Sequence, residues 1–154
     1  MSVQTNTDEF LAWLKTQIPL LEHLGIDELV WDGRALELPT PLAPNVNDKG
    51  TGFGGSQAAI ATVAGWCLTT LCLRERGLDC DVVIADSHLK YLKPVTRNFV
   101  TRVALDMPED AENLAARVRE RGKARLQLTV QVCCREEVCL EMQGLYVAIN
   151  RDSA

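Results

Sequence analysis

The chain has 154 residues, 47% of them apolar, and a formal charge of −5 at pH 7. That is enough apolar material for one domain with a sizeable core, expected over residues 1–154. The acidic balance, with a pI near 5.0, excludes a nucleic-acid partner held by bulk attraction to phosphate, and an acidic ligand needs cations gathered locally.

In chain order, Asn6 and Glu9 are spaced like a capping box, and Phe10, Leu14, Ile18 and Leu21 make one helical stripe that Pro19 ends or kinks. Leu29 to Trp31 turns through Asp32-Gly33 into Leu36 to Leu38, which predicts a hairpin, and Pro39 to Pro44 reads as a rigid loop. Next comes a Gly-rich loop, Asn47-Asp48-Lys49-Gly50-Thr51-Gly52-Phe53-Gly54-Gly55-Ser56, running into a stretch with no charge before Arg74. This predicts a buried helix from Ser56 to Arg76, about 31 Å long at 1.5 Å per residue and apolar around most of its circumference. A glycine-lined approach to such a helix directs backbone N–H groups and the positive end of a dipole at one point, where an anion or a developing oxyanion is stabilised.

The second half of the chain has period-two patterning. Val83, Ala85, Leu89 and Tyr91 share one predicted strand face, with Ile84, Asp86, His88 and Lys90 on the other. Phe99, Val103, Leu105 and Met107 repeat the pattern, as do Leu126, Leu128, Val130 and Val132. In the last run the apolar parity changes from Val138, Leu140 and Met142 to Leu145, Val147 and Ile149, which predicts a bulge at Gly144. Glu109 to Arg121 reads as a mostly solvated helix between strands. The pattern is α+β, with half-buried antiparallel strands around one buried helix.

The uncharged stretch is long enough for a membrane span, but its glycines, threonines, Gln57 and Ser56 dilute it, so a core helix without a membrane partner is expected. The first residues lack the basic and apolar blocks of a secretory signal, so the six cysteines are expected as reduced thiols in a cytoplasmic protein. No CxxC pair occurs and neither His lies at ligand spacing to a cysteine, so no metal site is expected.

The order of elements, the loop NDKGTGFGGS and the strand ADSHLKYLKPVTRNF resemble a hotdog-fold thioesterase. The chain is similar to the bacterial family that also occurs as the C-terminal half of proteins with a GNAT-type acetyltransferase in front. The resemblance runs from about Phe10 to Asn150. It implies an antiparallel sheet wrapped around a long central helix, a homodimer or dimer of dimers with thioester sites at its interface, and an acyl-CoA or acyl-carrier substrate. No cofactor is implied beyond coenzyme A as part of the substrate.

In the phenylacetyl-CoA-type members the loop carries an Asn, then His-Gly-Gly, then an acid about two turns into the helix. Asn47 and Gly54-Gly55 match. Phe53 stands in place of the His and Thr62 in place of the acid. Asp48 is the loop acid that substitutes, acting as general base or nucleophile, with Asn47 orienting water or thioester and the Gly55 N–H polarising the carbonyl. Phe53, Gly54 and Ser56 line the same site. His88 and Tyr91 lie on the strand that the resemblance places at the subunit seam, and Lys90, Lys93 and Arg97 gather around Pro94 as a grip for phosphates. The rival readings are a module that binds acyl chains without cleaving them, and a dehydratase, which needs a catalytic His that the loop and helix lack.

Overall fold

The computed structural model describes residues 5–152; residues 1–4 and 153–154 of the expected domain lie outside the described residues. Helix α1 spans Thr7–Gln17. Asn6 caps it by accepting the Glu9 N–H at 3.1 Å, and so satisfies one of the donors a helix start leaves free. Pro19 ends α1 as expected, and a short helix α2 follows over Leu20–Leu24. Strands β1 (Val30–Trp31) and β2 (Ala35–Thr40) form the expected hairpin, tied by Asp32, whose carboxylate accepts the Arg34 and Ala35 N–H groups. The predicted rigid loop from Pro39 to Pro44 is corrected. Pro39 and Thr40 continue β2, and Ala43–Asn45 forms a 3-10 turn. Pro39 is tolerated there because β1 is too short to reach it, which leaves one side of β2 without a strand to bond.

Helix α3 covers Gly54–Arg74, starting two residues before its predicted bound. Strands β3 (Cys80–Tyr91) and β4 (Phe99–Ala104), helix α4 (Asp110–Arg121), and strands β5 (Lys123–Cys134) and β6 (Glu137–Asn150) complete the chain. The six strands make one antiparallel sheet in the order β1-β2-β4-β5-β6-β3, which curls so that α3 packs against β2, β3, β4, β5 and β6. This is the hotdog arrangement. By length and composition α3 could cross a membrane, yet 67% of its most apolar window is buried inside the protein. Tyr146 of β6 sets how closely sheet and helix approach. Its ring lies where a Cβ on Gly65 would be, at 2.3 Å, and its hydroxyl donates to Thr62 O at 2.7 Å. Beside it, on a face that carries Trp66 and Arg74, α1 closes over α3. The rings of Phe10, Trp13 and Trp66 pack together and the Arg74 guanidinium lies 4.2 Å from the Trp13 ring centroid.

Three strand expectations are corrected. No bulge occurs at Gly144: Leu140, Met142, Gly144, Tyr146 and Ala148 all face α3, and a Cβ at Gly144 would sit 2.9 Å from the Tyr146 ring. The pairing shifts elsewhere, where Cys139 is an extra residue of β6 against Val132 and Cys133, and on the neighbouring strand β3 between Ile84 and Asp86. Val82 and Ile84 therefore turn inward with Leu89, while Val83 is 49% exposed instead of sharing their face. Val83, Leu145, Val147 and Ile149 form an apolar strip on the sheet's outer side, which the sequence alone reads as a change of parity. Met107 lies beyond β4 and is 52% exposed. Helix α4 is less solvated than expected, because Ala111, Leu114, Ala115 and Val118 form a buried stripe at helical spacing.

Two residues connect β5 and β6, and Arg135 holds φ at 58°, the left-handed region that favours glycine. For a side chain with a Cβ this costs about 1–2 kcal/mol.

All six cysteines are free. Burial in α3 pushes the Cys72 thiol up to about 12, and Cys67 is raised by the same cause. A thiol that keeps its proton in the folded chain and loses it in the unfolded one above about 9.0 makes the folded state bind more protons, so stability falls as pH rises from about 9 toward about 12. Under reducing conditions, urea midpoints should drop from about pH 8 to about pH 10, and less steeply in Cys67→Ala/Cys72→Ala. Gly65→Ala should destabilise by about 1–3 kcal/mol in the same measurement, since Tyr146 must move to admit the methyl group.

Candidate functional site at the start of the central helix

The segment before α3 is a tight turn held by one side chain. Asn47 Oδ1 accepts the N–H groups of Lys49 and Thr51 at 2.8 and 3.1 Å, and its Nδ2 donates to Thr51 Oγ1 at 2.9 Å. Asn and Asp favour such turns because they bond their own backbone two residues on. The turn rests on two anchors. Gly52 N–H donates to Val95 O at 2.8 Å and Phe53 N–H to Asn45 O at 2.7 Å, while Asn45 is itself buried and donates to Leu24 O and Pro41 O. Gly52 is needed at this approach, since a Cβ there would lie 2.8 Å from Val95.

The helix that follows starts without a cap. No side chain caps the N–H groups of its first turn, no acid lies in it, and the N–H groups of Gly54, Gly55 and Ser56 have no acceptor among the described residues. Three free donors at the positive end of a 21-residue helix are poised for an oxygen carrying negative charge. Two aromatic rings flank them. The Phe53 ring lies over Gly55, 2.5 Å from where a Cβ would be, and the Tyr91 ring lies against Gly54, with its hydroxyl donating to Gly54 O at 2.8 Å. Both rings are about half exposed, 53% and 55%, so their outer surfaces form an apolar rim beside the donors.

The structure thus brings Asn47, Phe53, Gly54, Gly55, Ser56 and Tyr91 together at one end of α3 and separates them from others. Asp48 sits at the tip of the turn, exposed, with Lys49 Nζ at 3.1 Å as its ion-pair partner. His88 and Lys90 alternate with Leu89 and Tyr91 and so occupy the outer side of β3. The expected cluster around Pro94 therefore divides. Lys90 stands opposite Glu141, Lys93 pairs with Glu137 at 3.2 Å, and Arg97 lines a cavity of about 560 Å³ with Arg135 and Glu136.

Sequence reasoning missed Gln57, Asn45 and Val95. Gln57 is 4% exposed, donates through Nε2 to Gly52 O at 3.2 Å, and leaves its buried Oε1 without a partner. Its signal was the one amide in the uncharged first two turns. Asn45 and Val95 act through backbone contacts that only folding creates. Among the described residues no group of three or more His, Cys, Asp or Glu could hold a metal.

A family model described as "Putative thioesterase (yiiD_Cterm)" matches residues 7–150. The chain belongs to this thioesterase family. It is 36% identical to the putative thioesterase from Shewanella oneidensis, covering 92% of this chain and 99% of that one, with a TM-score of 0.80. A protein of unknown function from Chlorobaculum tepidum is 26% identical over 94% of this chain and 98% of that one, with a TM-score of 0.84. A thioesterase from Haemophilus influenzae, 22% identical over 97% and 94% of the two chains, shares the fold with a TM-score of 0.73. The open helix start is therefore carried by a member of this family with the hotdog fold.

Asn47→Ala removes two accepted bonds and one donated bond and should destabilise the chain by about 1–2 kcal/mol. Asn47→Asp keeps the acceptor and should lose clearly less. Equal losses in denaturant titrations would mean that the turn does not rest on Oδ1.

Proposed function

We propose that this protein hydrolyses an acyl thioester of coenzyme A or of an acyl carrier, at a site that a second copy of the chain completes. The observation that carries the reading is the open first turn of α3, with three unbonded N–H groups between two aromatic rims, in a chain of a thioesterase family. In this reading the thioester oxygen accepts the Gly55 N–H, and the developing oxyanion is stabilised by the helix start. Asp48 removes a proton from water as the water oxygen bonds to the carbonyl carbon. The C–S bond then breaks, and the thiolate leaves and takes up the proton, giving a carboxylic acid and a thiol. Asn47 keeps one Nδ2 hydrogen beyond its bond to Thr51 with which to orient water or thioester.

Dimerisation is part of this reading. Strand β3 is 12 residues long and forms one edge of the sheet, and a long edge strand offers unpaired backbone groups to a second copy. The outer strip of Val83, Leu145, Val147 and Ile149 is a surface on which dimers would associate further. Six free cysteines, most of them buried, suit the reducing cytoplasm.

A second reading, acyl binding without cleavage, is favoured by one observation: Asp48 is exposed and ion-paired with Lys49, and Asn47 is largely committed to its turn. Thiol release from a panel of short, long and aromatic acyl-CoAs separates the two. The hydrolase reading expects turnover in the wild type and a loss of about 10²-fold or more in folded Asp48→Asn, the scale of a removed general base. Binding without turnover would sink it in favour of the binding module, and full turnover in Asp48→Asn would take that residue out of the base role.

A further inference from the structure

We infer that the cavity between the β3–β4 connection and the β5–β6 hairpin takes the nucleotide end of coenzyme A, with Arg135 and Arg97 on its phosphates. The inference rests on the thioester reading above and names which carrier that site serves. Three observations meet at the cavity. Arg135 occupies a left-handed backbone position, φ 58°, in the two-residue turn between β5 and β6, where glycine would be relaxed. A strained residue kept where a smaller one fits better is a mark of a side chain in use. The cavity beside it, about 560 Å³, is in the size range of small-molecule sites and is lined by Pro94, Thr96, Arg97, Arg135, Glu136 and Glu137 among others.

The charges suit a nucleotide better than a lone anion. Glu137 is neutralised by Lys93 at 3.2 Å. Among the described residues neither guanidinium has a carboxylate partner, so Arg97 and Arg135 present two planar donor sets to phosphate. Glu136 remains as an acceptor for hydroxyl and amino hydrogens, the role a carboxylate plays toward ribose in nucleotide sites. Adenosine 3′,5′-bisphosphate, the head of coenzyme A, carries both kinds of group.

Position connects the cavity to the thioester site. Pro94 and Thr96 line the cavity, and Val95 between them accepts the Gly52 N–H at 2.8 Å, two residues before α3 begins. The two sites lie on either side of one strand of chain, which the pantetheine arm would cross. A second cationic cavity, formed by Arg117, Arg121, Lys123 and Arg125, is at the opposite end of the sheet, since Lys123 pairs with Ile149 of β6, and Ile149 in turn pairs with Asp81, at the far end of β3 from Tyr91. It cannot serve the same arm.

The test titrates adenosine 3′,5′-bisphosphate into the intact wild-type protein, Arg135→Gly and Arg97→Ala by calorimetry. Arg135→Gly should melt no lower than the wild type, because glycine relaxes the turn, and yet bind at least tenfold more weakly; Arg97→Ala should also weaken binding. Kinetically, wild-type KM should be at least tenfold higher for an acyl-pantetheine than for the matching acyl-CoA, and Arg135→Gly should raise KM for the CoA ester toward that value. No binding of the bisphosphate to the wild type, or equal binding in both variants, overturns the assignment. Equal KM for the two esters overturns it too and leaves the hydrolase reading standing, whereas bisphosphate binding without any turnover supports the cavity and removes the hydrolase.

Discussion

A 21-residue helix with no charge before its last residue has to be taken out of water along most of its length, and every other element answers to that requirement. The sheet curls so that five strands reach α3, and α1 closes the remaining side with Phe10, Trp13 and the stacked Arg74. The depth of the curl is set at Gly65, where the Tyr146 ring lies against backbone and its hydroxyl reaches the Thr62 carbonyl. Burying that hydroxyl without the Thr62 oxygen would leave it unpaired, so packing and hydrogen bonding fix the same contact.

The same requirement stops short at the first turn, and the site exists because it does. Helix starts ordinarily have their free N–H groups satisfied by a side chain. Here Phe53 occupies the capping position and has no oxygen to offer, and Asn47, which has one, is committed to the preceding turn. The glycines let Phe53 and Tyr91 approach the backbone so closely that the donors lie beside an apolar rim, which a ligand seated there would close off from water. Low local polarity around fixed donors is what makes a backbone N–H effective toward a charged oxygen.

Much of this was legible in the residues. Period-two runs located the long strands, and the Gly-rich loop with its uncharged sequel located α3 and the candidate site at its start. The resemblance to a thioesterase family is upheld over residues 7–150. Where the reading failed, the cause lay in neighbours. The parity change after Met142 belongs to an apolar outer strip, because the compensating bulge is on β3, opposite β6, where period alone cannot assign it. Pro39 looked like a breaker until its strand proved to have one free side.

The sequence by itself determined the fold class and the place of the open helix start that forms the candidate site, because hydrophobic period and glycine placement are local properties that each segment carries whatever surrounds it. The tertiary structure decided which side chains share that place. Lys90 and Arg97 are seven positions apart and end on different surfaces, while Arg97 and Arg135, distant in sequence, line one cavity. Strand faces, bulges and turn conformations set such meetings, and they depend on which strands pair, a choice made by the whole core at once.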